Sequence, residues 1–331
     1  MTYMGRRQFV RDGLAFAATA GMSAVPAVAR DTAGTTRIAW LAGNAGPLPT
    51  PAYLDALRTG LRTRSWVEGR NLTIDARWGE PGSAERLASE LLVLRPDVLV
   101  AQGAMVLGVR NPDIKVPIVF GFSGDPVEAK LVTSFSRPGG NLTGIAMQSL
   151  DLVGKRLELL KEIMPSLTRV AILANPSHPG EQLELRASRL AAEKLNIAVS
   201  YFAVSSARDF ASAWPALLQA RAEAIVAFPD ALIMSQAAAI SAFAKQNGIP
   251  AVSGWSEFAE EGNLLTYGPN LRATWEQAAG FVDRILRGAR PTELPVEQPS
   301  SFELVVNRRT ATELGLILPP AISMRTDRMI R

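Results

Sequence analysis

From Thr36 onward, short apolar runs alternate with stretches in which leucines recur every three or four residues. Residues 37–42, 72–77, 98–101 and 117–120 are runs of the first kind and read as buried strands. Between them, Leu54, Leu57 and Leu61, and then Leu87, Leu91 and Leu94, share helical faces. A strand covered on both sides is apolar throughout instead of alternating, and parallel neighbours need a crossover that a helix supplies. The pattern therefore predicts an α/β chain with doubly wound parallel sheets.

The pattern occurs twice. Arg37-Ile-Ala-Trp-Leu-Ala-Gly-Asn44 returns 132 positions later as Arg169-Val-Ala-Ile-Leu-Ala-Asn-Pro176, and Val116-Pro-Ile-Val-Phe-Gly-Phe-Ser123 returns after 133 as Ile249-Pro-Ala-Val-Ser-Gly-Trp-Ser256. Pro96-Asp-Val-Leu-Val-Ala101 is echoed by Ala222-Glu-Ala-Ile-Val-Ala227, and Gly140-Asn-Leu142 by Gly262-Asn-Leu264. The shared order of the echoes predicts two similar lobes. A long helical pattern then runs through Leu271, Trp275, Ala278, Val282 and Ile285 to Gly288 and Pro291, and residues 302–306 read as a strand. Two elements left over after two complete halves imply that the chain crosses back: the helix to the first lobe, the strand to the second. The expected division is 36–147 with 268–292 for one lobe and 148–267 with 293–331 for the other.

Composition narrows the chemistry. The 331 residues are 47% apolar, carry a formal net charge of +4, and include no cysteine and one histidine. That removes disulfides, thiolate metal sites, cysteine nucleophiles and lipid-modified cysteine anchors. Much of the positive charge sits in the first segment. Gly5-Arg-Arg-Gln-Phe-Val10 precedes a mildly apolar run ending in Pro26-Ala-Val-Ala29, the order of a twin-arginine export signal with its cleavage site. Residues 1–29 hold three arginines and one aspartate, so their removal lowers the formal charge from +4 to +2. The expectation is an exported protein, free in the periplasm, with no membrane insertion after cleavage.

In open parallel sheets ligands sit beyond the carboxyl ends of the strands. The residues just past each strand are Asn44, Gln102, Gly103, Ser123 and Asp125 in the first half, and Asn175, Asp230, Ser253 and Ser256 in the second. Thr143 and Tyr267 border the same ends. These short polar groups suit hydrogen bonding to a small polar acid or zwitterion, with Asp125 or Asp230 holding an ammonium and helix amides a carboxylate. The same residue types also cap helices, and Asp125-Pro126 has the form of a cap followed by proline at the first helical position. Tyr267, Trp255 and Phe228 are candidates to stack on an aromatic ligand or to pack as core.

These residues reach a family resemblance. Ser123-Gly-Asp-Pro-Val127, Leu131-Val132 and Ser136-Arg-Pro-Gly-Gly-Asn-Leu-Thr-Gly144 resemble the signature of periplasmic solute-binding proteins of ABC importers, in the subgroup similar to tryptophan- and tyrosine-type binding proteins. Trp66-Val-Glu-Gly-Arg-Asn71, Phe228-Pro-Asp230, Tyr267-Gly-Pro269 and Leu294-Pro-Val-Glu-Gln-Pro299, running into Phe302-Glu-Leu-Val-Val-Asn307, extend it over about residues 36–330. The resemblance implies a type I periplasmic-binding-protein fold with three crossovers, closure on a small ligand such as an amino acid or aromatic acid, and a monomer that delivers it to a permease with its ATPase, without a cofactor. The chain departs from the family at Gln102-Gly-Ala104, where relatives read Gly-Thr-Pro, and at Trp66, where they carry tyrosine.

Two other classes stay open on the residues. Glu257, Glu260 and Glu261 form a carboxylate cluster of the kind acid–base enzymes use, or a solvated helix face. His178, in Asn175-Pro-Ser-His-Pro-Gly180, reads as a histidine in a solvated turn, with no Ser-His-Asp arrangement to argue. A stand-alone periplasmic sensor on the same fold is the second. A nucleic-acid role finds no support, because Arg325, Arg328 and Arg331 are scattered and no basic stripe exists.

Overall fold

The computed structural model describes residues 35–43, 50–147 and 150–331. The export segment 1–29 and Asn44 lie outside the described residues.

The first half runs β1 (Thr36–Gly43), α1 (Thr50–Arg62), β2 (Leu72–Gly79), α2 (Ala84–Val93), β3 (Val98–Gln102), β4 (Ile118–Phe122) and β5 (Leu142–Ala146). Its five strands are parallel in the order β2-β1-β3-β4-β5. After β3 the chain makes a 3-10 stretch, Gly103–Val109, in place of a full helix.

The second half runs α3 (Leu150–Ile163), β6 (Arg169–Ala174), α4 (Glu181–Lys194), β7 (Ala198–Ala203), α5 (Phe210–Gln219), β8 (Ala224–Ala227), α6 (Ala231–Ser235), α7 (Ala237–Asn247), β9 (Ala251–Ser253), α8 (Ser256–Glu260) and β10 (Leu265–Pro269). Then follow α9 (Leu271–Leu286), β11 (Phe302–Asn307), α10 (Arg308–Glu313), α11 (Pro320–Arg325) and β12 (Arg328–Ile330). The second sheet is ordered β7-β6-β8-β9-β10-β11-β12, with β11 antiparallel to β10. Its first five positions repeat the first sheet strand for strand, and the four echoed segments fall on β1 and β6, β3 and β8, β4 and β9, and the entries to β5 and β10.

Both sheets are covered on two faces, which is why β4, β5, β8 and β9 are buried along their whole length. In the first, Trp40, Leu57, Trp275 and Phe281 join one face to α1 and α9, and Leu91, Met105 and Phe120 fill the other. In the second, Leu160, Ile172 and Leu185 pack under α3 and α4, and Phe210, Leu217 and Ile240 under α5 and α7.

The chain passes between the lobes three times. It leaves β5 for α3. It leaves β10 for α9, which is capped by Asn270 through a 2.9 Å bond from the Ala273 amide. Trp275, Phe281 and Val282 of α9 are fully buried in the first lobe, each side chain contributing roughly 1.5–3 kcal/mol by leaving water. Finally, residues 294–297 run beside β5, with Glu297 bonded to Gly144 and Ala146, before β11 rejoins the second sheet.

Candidate functional site

The loops after β4 and β6 meet across the cleft between the lobes. Asn175 Oδ1 accepts from the Ser177 amide at 3.0 Å, and the Asn175 carbonyl accepts from the His178 amide at 2.9 Å, so the loop folds back over its own strand. This brings His178 Nε2 within 2.7 Å of Ser123 Oγ. Gly124 makes the approach possible: a Cβ there would stand 1.9 Å from the Pro179 carbonyl oxygen. His178 therefore lies in the cleft and not in a solvated turn, a placement its local sequence does not reveal. Its Nδ1 is enclosed without a partner, and desolvation pulls the imidazole down from 6.5 to about 4.

The floor of the cleft is charged. Arg156 from α3 donates from Nη1 to Glu184 Oε1 of α4 at 2.9 Å and from Nε to the Tyr267 carbonyl at 2.9 Å. The two side chains are only 4% and 11% exposed. Burial lowers the arginine and raises the glutamate, while their mutual attraction opposes both shifts. A Cβ on Gly254 would lie 2.5 Å from Arg156 Nη2, so the bare backbone after β9 leaves the guanidinium its place. Met147, Leu150, Val153, Pro229, Trp255 and Pro269 supply apolar walls. The empty space is about 360 Å³ counting its mouth.

A second contact joins the lobes. Tyr53 of α1 donates to Glu257 Oε1 of α8 at 2.9 Å. Glu257 is 9% exposed and its Oε2 has no partner. Burial, before any neighbouring charge, raises both groups. The solvated-face reading of the three glutamates thus fails for Glu257, because α8 turns it toward α1. Glu260 does lie at the surface, paired with Arg328 at 2.7 Å. Among the described residues, no group of three or more acidic or histidine side chains is placed to hold a metal ion.

The two lobes meet around a small polar floor, and comparison with known proteins decides the family. The ABC transporter substrate binding protein family matches residues 52–330. The chain belongs to that family. It is 24% identical over 260 residues to a tyrosine-binding protein of Clostridioides difficile, covering 77% of this chain and 74% of the relative. A conserved domain protein from Vibrio cholerae superposes with a TM-score of 0.83 at 28% identity, covering 89% of this chain and all of the other. An ABC domain from Streptococcus pneumoniae in complex with L-Trp gives 0.83 at 21% identity, over 90% of this chain and all of the other.

Within this substrate-binding protein the expected ligand residues separate into groups. Ser123 lines the cleft. Gln102 ends β3 with its Oε1 enclosed and unpartnered, and Gly103 follows at φ +57° with open space beside it. Asp125 holds a turn by accepting from the Val127 and Glu128 amides at 2.7 and 3.2 Å, and no helix follows. Asp230 caps α6 through the Ile233 amide at 2.7 Å and takes the Asn175 amide group at 2.7 Å; burial raises it to about 6. Thr143 donates to the Leu294 carbonyl and Ser253 to the Ala227 carbonyl, each at 2.7 Å. Tyr267 packs its ring on the second core and offers its carbonyl to Arg156.

Arg156, Glu184 and His178 were not among the residues read from strand ends. A signal for Arg156 exists: it lies three residues after Val153 and four before Leu160, on the face of α3 that is otherwise buried.

Proposed function

We propose that the protein is the extracytoplasmic receptor of an ABC importer, exported by its twin-arginine signal, that closes two lobes on an amino acid or related aromatic acid. The lobes are 36–147 with 268–292, extended by the strap 294–297, and the remainder of 148–331. The closed form is what a permease with its ATPase recognises, and the receptor works as a monomer. The observation that carries this reading is the pair of direct bonds across the cleft, Ser123 to His178 and Tyr53 to Glu257. A ligand touching both lobes adds to such contacts and shifts the population toward closure. The tyrosine-binding relative and the L-Trp complex support an amino acid as cargo.

The serine and histidine at 2.7 Å have the spacing of a nucleophile and its base. Two features speak against catalysis. Nδ1 has no acceptor to orient the ring, and an imidazole titrating at about 4 is a weak base at neutral pH.

The test is a thermal-shift screen of protein without residues 1–29, refolded to strip ligand, against amino acids, aromatic acids and sugars. A ligand at about 1,000 times its dissociation constant adds about 4 kcal/mol, a rise of several degrees. A rise with tryptophan or tyrosine is the expected result; a rise with sugars alone overturns the reading.

A further inference from the structure

Among the described residues that line the pocket beside Ser123 and His178, Arg156 and Glu184 are the charged ones; they touch at 2.9 Å, and the others are apolar or neutral, His178 included. As a stabilising device the pair is poor, because desolvating two charges offsets most of their attraction and well-packed apolar residues serve as well. It is also incompletely used. Of the five N–H groups of the guanidinium, bonds from Nε and Nη1 are made within the protein, and Glu184 accepts through Oε1. The remaining donors and the second carboxylate oxygen belong to a pair whose side chains line the cleft.

Charge balance then selects the ligand. A simple carboxylate seated here leaves an extra buried negative charge, and a simple amine an extra positive one. A zwitterion with both charges on one carbon lies head to tail along the pair and leaves none. Asp125 and Asp230, the other acids at these strand ends, already have backbone or amide partners.

Resting on the receptor reading above, we propose that Arg156 and Glu184 together read the head group of a free α-amino acid: the guanidinium takes the α-carboxylate and Glu184 the α-ammonium, while the apolar walls and Trp255 take the side chain. Specificity then lies in the demand for both charges. An analogue lacking either leaves a buried polar group unpaired, which discriminates far more strongly than a missing methylene does.

The test is calorimetric titration of purified, refolded protein with L-tryptophan and L-tyrosine, their des-amino acids (indole-3-propionate and 3-(4-hydroxyphenyl)propionate) and their decarboxylated amines (tryptamine and tyramine). Wild type is expected to bind the amino acid at least ~100-fold tighter than either analogue. In Glu184→Gln, amino-acid binding falls at least ~10-fold while the des-amino acid, no longer adding an unbalanced negative charge, binds more tightly than to wild type, so the preference between them collapses. Thermal unfolding of the variant reports whether it has folded. Wild-type binding of amino acid and des-amino acid with equal affinity overturns the inference whatever the variant does, as does a folded Glu184→Gln that keeps the preference. Binding of the des-amino acids without the amino acids overturns this inference and leaves the receptor reading standing, whereas a rise with sugars alone in the thermal-shift screen overturns both, so the two failures are distinguishable.

Discussion

The hydroxyl of Tyr53 reaches 2.9 Å across the cleft to Oε1 of Glu257, although 204 positions separate the two in sequence. The bond joins the first helix of one lobe to the short helix after β9 in the other. It exists only while the lobes are together, which on the closure proposed above makes it a latch on the closed form.

Tyr53→Phe removes the donor and leaves both oxygens of a buried carboxyl unpaired. An unpaired buried group costs about 1–3 kcal/mol, and that cost falls on the closed state alone. Ligand affinity is expected to drop roughly 5- to 100-fold with little change in the unfolding temperature of the unliganded protein. Calorimetry and a melting curve on the same sample check both parts.

Gly124→Ala acts on the same equilibrium through backbone. A methyl group 1.9 Å from the Pro179 carbonyl cannot be accommodated without parting the loops after β4 and β6. The variant is expected to fold normally and to bind ligand at least ~10-fold more weakly, about 1.4 kcal/mol. A crystal structure or scattering profile showing the lobes held apart identifies the cause.

Acid is expected to loosen the cleft. His178 titrates at about 4 in the fold against 6.5 unfolded, so between those values the unfolded chain binds the extra proton. Its neutral form contributes stability that is complete above about pH 6.5 and declines as pH falls toward 4. Asp230, raised from 3.8 to about 6, works in the opposite sense: the folded state holds the proton, and stability from this group grows on acidification through 6. Urea titrations from pH 7 to 4 are expected to show a steeper acid loss in Asp230→Asn and a shallower one in His178→Gln.

The buried pair separates stability from recognition. Arg156→Met leaves Glu184 buried without its cation and is expected to cost about 3–5 kcal/mol of unfolding free energy. The double variant Arg156→Met with Glu184→Leu removes both charges and is expected to return close to wild-type stability. Denaturant midpoints for the three proteins decide the matter.

The fold was legible in the sequence where burial is local to an element. Strands sandwiched between helices must be apolar along their length, so residues 37–42 and 169–174 announce β1 and β6, and the order of echoes gives the duplicated sheet. The apolar stripe from Leu271 to Ile285 announces α9, and its position after two complete halves gives the crossing. The site was less legible, for a physical reason. Serine, asparagine and aspartate after a strand serve caps and ligands with the same hydrogen-bonding groups, and in Asp230, Asp125, Thr143 and Ser253 those groups have partners inside the protein. The charged floor comes from helix faces, where a lone Arg156 among Val153, Leu157 and Leu160 looks like an interruption until α4 is packed against α3 and brings Glu184 to it. His178 is hidden by its turn, whose Asn-Pro-Ser-His-Pro-Gly composition gives no indication that Gly124 waits opposite.

Hinge closure on an amino acid is the claim on which the rest depends. The most direct measurement is small-angle scattering of refolded protein without residues 1–29, alone and at saturation with whichever of tryptophan or tyrosine binds by calorimetry. A smaller radius of gyration on ligand addition, absent in Gly124→Ala, is the predicted result. An unchanged radius in wild type despite calorimetric binding contradicts the account.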